Sequence, residues 1–204
     1  MNGYVRTGWP RVESFGGMPL LDAWYDRPYE YAWAGAALDR IRADLARPLR
    51  VLDVGPGPHQ PLVDELVLRG YEVAAVDSDY RAVAAVRQRL GEKVAIWQEN
   101  ARQTTVGLYD VVSCVSAIEH DPDWRDLAAN LARARRLLLT FGVYLPEAED
   151  EAIRQEMFVP VGGPEEVVSI LETCGLYVGG IDFSIPKDAL IARGLLTFVV
   201  EGAR

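Results

Sequence analysis

The chain has 204 residues, half hydrophobic and a quarter charged, with a net charge of −9, which fits one globular α/β domain with a full core. So acidic a chain is a poor match for phosphate backbones, which bind clustered Lys and Arg by counterion release, so nucleic acid is not an expected partner. No apolar run is long enough to span a bilayer, and Met1 to Pro10 lacks a signal-type apolar stretch, so the expected location is cytoplasmic, with no membrane partner. Cys114 and Cys174 read as two thiols rather than a disulfide. With two His and two Cys far apart, no metal-ligand spacing is present and no metal is expected.

Residues 1–28 are rich in Gly, Pro and aromatics without a clear period, and read as an arm or lid. A helical period follows over Tyr29–Ala46, with Ala34, Leu38, Ile41 and Leu45 on one face and Pro48 as its stop. Arg50–Val54 is strand one. Pro61–Arg69 is a helix closed by Gly70. Glu72–Val76 is strand two, and Tyr80–Leu90 is a helix closed by Gly91. Lys93–Trp97 and Tyr109–Val115 are strands three and four. Trp124–Arg135 is a helix, and Arg136–Phe141 is strand five. The stretch 142–162, with its acidic run Glu147–Glu151, reads as an insertion beside the active site holding a short helix over Glu147–Glu156. A helix within Val161–Cys174 is capped by Gly175, and Tyr177–Phe183 and Leu195–Val200 are the last strands. This alternation predicts a parallel sheet covered by helices on both faces, with the last two strands as an antiparallel hairpin at its edge. One domain over 1–204 is expected.

Ligands of such sheets bind beyond the carboxyl ends of the strands, where the strand order reverses. There the chain reads Val51-Leu52-Asp53-Val54-Gly55-Pro56-Gly57, then Val76-Asp77. Gly55 and Gly57 allow a sharp turn and close backbone approach. A dinucleotide fingerprint runs apolar into three glycines; here Asp53 precedes the first glycine, and Gln60 stands where the third is due. A carboxylate there repels a pyrophosphate and suits a cation. S-adenosylmethionine carries an ammonium and a sulfonium, and no phosphate. Asp77 can accept both ribose hydroxyls, provided that Ser78 or Asp79 caps the following helix. Asn100 after strand three offers an amide to an adenine edge, or serves as a turn residue. Ser116-Ala117-Ile118-Glu119-His120-Asp121 follows strand four. His120 or Asp121 is the candidate base and Glu119 a counter-charge or a loop anchor. Tyr29, Tyr31 and Trp33 either cover the cofactor or pack in the core, and Cys114 reads as a core residue.

Val51–Gly57, Asp77, Asn100 and Tyr109–His120 together resemble the class I S-adenosylmethionine-dependent methyltransferases over about Arg50 to Phe141. Tyr29-Glu30-Tyr31-Ala32-Trp33 and Val115–His120 are similar to small bacterial members of unassigned substrate. The resemblance implies a Rossmann-like, doubly wound seven-stranded sheet of order 3-2-1-4-5-7-6 with strand seven antiparallel. It implies that Asp53 and the Gly55-Pro56-Gly57 loop hold the methionine part, that Asp77 holds the ribose with Ser78 beside it, and that Asn100 and Ala101 lie near adenine. Ser116 and Trp33 are counted with these cofactor residues. The chain departs from the family pattern at Pro58-His59-Gln60, at Asn100 in place of the more usual Asp, and at Ala134-Arg135-Arg136 where a Pro-Gly-Gly turn is common.

The expected function is therefore S-adenosylmethionine-dependent methyl transfer to a hydroxyl of a small molecule such as a sugar or other metabolite, in a chain compatible with a homodimer. The alternative is a catalytically degenerate protein of this fold that serves as a binding or regulatory partner. A nicotinamide-dependent dehydrogenase is disfavoured by Asp53 and the missing third glycine.

Overall fold

The computed structural model describes residues 14–15, 18–19, 27–45, 47–58, 61–144, 165–183 and 195–204. Two short strands, β1 (Ser14–Phe15) and β2 (Met18–Pro19), pair antiparallel. They fall inside the stretch expected to be irregular. Helix α1 (Arg27–Ala43) follows, then β3 (Arg50–Val54), α2 (Leu62–Leu68), β4 (Glu72–Asp77) and α3 (Tyr80–Leu90). Next come β5 (Ala95–Gln98), β6 (Val111–Val115), α4 (Trp124–Leu131) and β7 (Arg136–Tyr144). The chain closes with α5 (Glu165–Thr173), β8 (Tyr177–Phe183) and β9 (Leu195–Ala203). The expected helix over Glu147–Glu156, most of the 142–162 insertion, and His59 and Gln60 lie outside the described residues.

The seven-stranded sheet runs β5-β4-β3-β6-β7-β9-β8, which counted along its own strands is 3-2-1-4-5-7-6. The first five strands are parallel, and β9 pairs antiparallel with both β7 and β8. A strand buried on both faces needs an unbroken apolar run, and in β6 every residue is buried. The period of two then divides the core. Leu52, Val54, Val76, Val112, Cys114, Leu137 and Leu139 pack under α4 and α5, against Trp124, Leu127, Leu131, Val167 and Leu171. Val51, Val73, Ala75, Val111, Val115 and Leu138 pack on the other face, against Tyr31, Ala34, Leu38 and Ile41 of α1 and Leu62, Leu66, Val83 and Val86 of α2 and α3.

Two element ends differ from the sequence reading. α4 stops at Leu131 rather than at Arg135. Buried Asn130 turns its amide out of the helix, to the carbonyls of Ala101 and Thr104 at 2.8 and 3.0 Å. β6 begins at Val111 rather than Tyr109 because Val106–Leu108 forms a 3-10 turn first. Cys114 is buried and Cys174 half-buried, and both are free thiols. Among the described residues no helix is long and apolar enough to cross a membrane.

The amino ends of β3 and β6 are clamped by Asp110. Its carboxylate takes both guanidinium branches of Arg47, at 2.7 and 2.5 Å, and the Arg50 N–H at 2.9 Å. The Arg47 hydrogen bonds hold the Asp110 pKa down, to about 2. A carboxyl depressed in the native state stabilises it above the unfolded pKa and loses that effect as pH falls through the native one. With Arg47 half-exposed, Asp110→Asn is expected to cost about 1–2 kcal/mol at pH 7. Urea unfolding should show the difference from wild type shrinking as pH drops from 4 to 2.

Candidate active site

A cavity of about 420 Å³ opens at the carboxyl ends of the parallel strands, where the crossovers from β3 and β6 leave in opposite directions along the sheet. Among the described residues, four strand ends and their loops line it. Val54 ends β3, with Gly55 and Gly57 in the loop after it; Asp77 ends β4, with Ser78 next; Asn100 to Arg102 follow β5; and Ser116, Ala117 and His120 to Pro122 follow β6. Leu127 of α4 closes the apolar side.

The β3 loop turns through two left-handed glycines, Gly55 at φ 71° and Gly57 at φ 61°. The Gly55 N–H donates to the Val76 carbonyl at 2.9 Å. A Cβ on Gly55 would lie 2.5 Å from the Ala117 Cβ, closer than carbon atoms approach, so only glycine fits between the two loops. The Gly57 N–H donates to Asp77 Oδ2 at 2.9 Å, and the Asp79 N–H donates to Asp77 Oδ1 at 2.8 Å. Asp79 caps α3 by accepting from the Arg81 N–H. Asp77 thus holds both walls of its corner, and each of its oxygens keeps a further lone pair for a ligand.

Asp53 is 2 % exposed and is not a wall residue. It sits inside β3, where the Ser113 hydroxyl of β6 donates to its Oδ1 at 2.5 Å. Burial pushes its pKa up to about 7, against the Ser113 bond, with the Asp77 charge adding to the rise. The resemblance implies that Asp53 holds the methionine part; in the ligand-free structure it lies behind the glycine loop rather than on the cavity wall. Pro56 is buried and also outside the cavity wall.

Asn100 lines the cavity, but its side-chain oxygen accepts from the Arg102 backbone N–H and from Arg102 Nε, both at 3.0 Å. Its NH₂ is then the part left to meet a base edge. Arg102 also pairs with Asp123 across the cavity mouth and lies 3.8 Å from Asp121. Ala101 stands at the same wall, with its carbonyl fixed by Asn130.

The β6 loop divides the three candidate catalytic residues. His120 is exposed and Asp121 half-buried, and both line the cavity. Asp121 Oδ1 accepts the Asp123 N–H at 2.8 Å, so part of this carboxylate shapes the turn into α4. Glu119 is 3 % exposed and outside the wall, and its Oε1 accepts the Gly142 N–H of β7 at 3.2 Å. That bond ties the β6 loop to β7. Trp33, counted with the cofactor residues, is 4 % exposed and outside the cavity wall, in the same core cluster as Tyr31. The side chain of Tyr29 lies outside what the structure describes.

Sequence reasoning missed Arg102, Pro122 and Leu127 as wall residues, and Ser113, Glu30, Thr140 and Asn130 as supports. Of these only Leu127 carried a signal, its place on the apolar face of α4. The others depend on partners distant in the chain.

A family model described as a methyltransferase domain matches residues 23–157. No curated protein sequence matches the chain. Among solved structures, the chain is similar to magnesium protoporphyrin IX methyltransferase from Synechocystis PCC 6803 with bound SAH (TM-score 0.66, 17% identity, 92% of this chain and 89% of that one). It is similar to geranyl diphosphate C-methyltransferase from Streptomyces coelicolor A3(2), with TM-score 0.60, 13% identity, and coverage of 100% of this chain and 93% of that one. Phosphoethanolamine N-methyltransferase 2 from Haemonchus contortus aligns with TM-score 0.63 and 14% identity, over 84% of this chain and 52% of that one. At such identities the likeness is one of fold. With a family match over more than half of its length, on a sheet of this order, the chain belongs to the methyltransferase-domain family, in its class I, S-adenosylmethionine-dependent form.

Proposed function

We propose that the cavity binds S-adenosylmethionine and that the chain directs methyl transfer to a hydroxyl of a small molecule, such as a sugar or other metabolite. The observation that carries this reading is Asp77. It is a carboxylate on the cavity wall at the end of the second parallel strand, bonded to the N–H of a left-handed glycine. The donor set fits a cationic nucleoside. Asp77 and Asp121 face the cavity, and Arg102, the one arginine on its wall among the described residues, is paired with Asp123. A volume near 420 Å³ holds a ligand of nucleoside size. The solved structures similar in fold include ones bound to S-adenosylmethionine or its demethylated product.

Gly55 and Gly57 would hold the methionine part, Asp77 the ribose hydroxyls with Ser78 beside it, and Asn100 and Ala101 the adenine edge. Bound S-adenosylmethionine supplies a methyl group made electrophilic by its sulfonium. The protein's work is then to align the acceptor with that methyl and to exclude water. A hydroxyl acceptor must also lose its proton. His120 and Asp121 both line the cavity, and each is a candidate base for that proton.

Calorimetric titration with S-adenosylmethionine and S-adenosylhomocysteine, with NADH as control, tests the cofactor. Micromolar binding of the first two alone is expected, and no binding to folded protein would sink the reading. Asp77→Ala should weaken binding about 10- to 100-fold, the worth of a charge-assisted hydrogen bond or two. His120→Ala should lower turnover of a hydroxyl acceptor by about 10²- to 10⁴-fold, with S-adenosylhomocysteine affinity little changed. Retained turnover would remove His120 from the mechanism.

Asp53 adds a pH dependence. With its pKa raised to about 7, the carboxyl is largely protonated at pH 6, and a cation in the cavity favours its ionised form. Binding of S-adenosylmethionine at pH 6.5 should then release a fraction of a proton, read as a binding enthalpy that varies with the ionisation enthalpy of the buffer. Asp53→Asn should abolish that variation. The same raised pKa makes the ligand-free protein lose stability as pH climbs from 4 to 7, and Asp53→Asn should flatten that slope in urea unfolding.

A further inference from the structure

Glu30 is a carboxylate with no exposed surface, and the methyl-transfer reading gives it no task. It comes from α1, the helix on the side of the sheet away from α4. Its Oε1 accepts the Ser116 hydroxyl at 2.6 Å and also the Thr140 hydroxyl of β7. Thr140 in turn receives the Ser116 backbone N–H, at its Oγ1 (2.9 Å) and at its carbonyl (3.1 Å). The Ser116 residue is therefore held at both ends, hydroxyl by Glu30 and amide by Thr140. Ser116 is the only non-glycine residue with positive φ among the described residues, at 43°. A side chain held there stores backbone strain and persists only when its surroundings over-determine it. The next residue, Ala117, is the one whose Cβ closes on Gly55.

We propose that Glu30 is a positioning residue for the cavity: it locks Ser116 in the left-handed conformation and so sets where Ala117 meets the glycine loop. The proposal rests on the reading of this cavity as the S-adenosylmethionine site. Without the acceptor from α1, Ser116 relaxes toward ordinary extended backbone. Ala117 then swings from Gly55, and the wall between the β3 and β6 loops moves. A carboxylate with no exposed surface costs desolvation unless its oxygens are hydrogen-bonded, and here a shared oxygen does the positioning. Glutamine, whose amide oxygen can accept the same two hydroxyls, should preserve the lock, and leucine should not.

The test combines S-adenosylhomocysteine titration with amide hydrogen exchange at Ser116 and Ala117 in the ligand-free full-length protein. Glu30→Leu should weaken S-adenosylhomocysteine about tenfold or more and speed Ser116 exchange by a similar factor. Glu30→Gln should stay within about threefold of wild type on both readings. Glycine adopts positive φ without strain. In a Ser116→Gly background, Glu30→Leu should therefore cost less than about threefold in affinity. An equal cost in both backgrounds, or unchanged exchange at Ser116 in Glu30→Leu, would overturn the proposal. Should Glu30→Leu not fold, Ser116→Ala breaks the same bond from its other end with less change in volume. It must then show the same losses, and wild-type exchange in it would overturn the proposal. A wild-type protein that binds neither S-adenosylmethionine nor its product would refute the cofactor reading alone, because the exchange data still decide the role of Glu30.

Discussion

The site exists because β3 pairs in parallel with two neighbours, β4 on one side and β6 on the other. Parallel neighbours need crossovers, and crossovers that leave in opposite directions cannot cover the carboxyl ends of the strands they leave behind. The gap is filled only by loops, and those loops must nearly touch. Gly55 and Ala117 do so, at a distance where one methyl group is already too much. The rest follows from that approach: two left-handed glycines on one side, a strained serine on the other, and a cavity between them.

Holding loops that close together takes polar bonds, because a turn cannot bury enough apolar surface to define itself. The bonds come from below the cavity. Asp77 ties the glycine loop to the start of α3, Ser113 joins β6 to Asp53, and Glu119 and Thr140 tie the β6 loop to β7. The acids that suit a cationic ligand are therefore also the acids that fix the walls. This shared duty explains why Asp53 lies behind the loop rather than on its surface. A carboxyl buried there is hard to ionise while the cavity lacks positive charge.

Much of this frame was legible in the sequence. Apolar runs bounded by glycines marked β3 to β7, and the 3.6 period marked α3 to the residue, because both signals are local and repeated. Asp77 could be placed at its strand end for the same reason. Its bond to the glycine loop could not, since it reaches 20 residues back to Gly57. Glu30 and Thr140 meet across 110 residues, and nothing at either position distinguishes a buried acceptor from an ordinary helix glutamate or strand threonine. Trp33 and Tyr31 illustrate the converse ambiguity. An aromatic ahead of a nucleotide-binding strand serves a cofactor or a core equally well, and only packing decides. Arg102 escaped notice because a lone arginine after a strand carries no pattern. Its two acidic neighbours lie beyond an intervening strand.

The order of the last strands bears on how the sheet is assembled in time. β9 is later in the chain than β8 yet stands between β8 and β7, and β8 has no other partner in the sheet. During synthesis from the amino end, β8 emerges with nothing to pair against. Meanwhile β7, the longest of the parallel strands, shows an open edge until β9 arrives. Exposed edges of this kind are where chains join the wrong neighbour. The sheet centre and its cavity corner can form early from β3 to β7, whereas closure of that edge waits for β9, the last of the seven strands in chain order. A kinetic consequence follows from the topology: until β9 is made, the β7 edge is unsealed and open to capture by a chaperone or by a second copy.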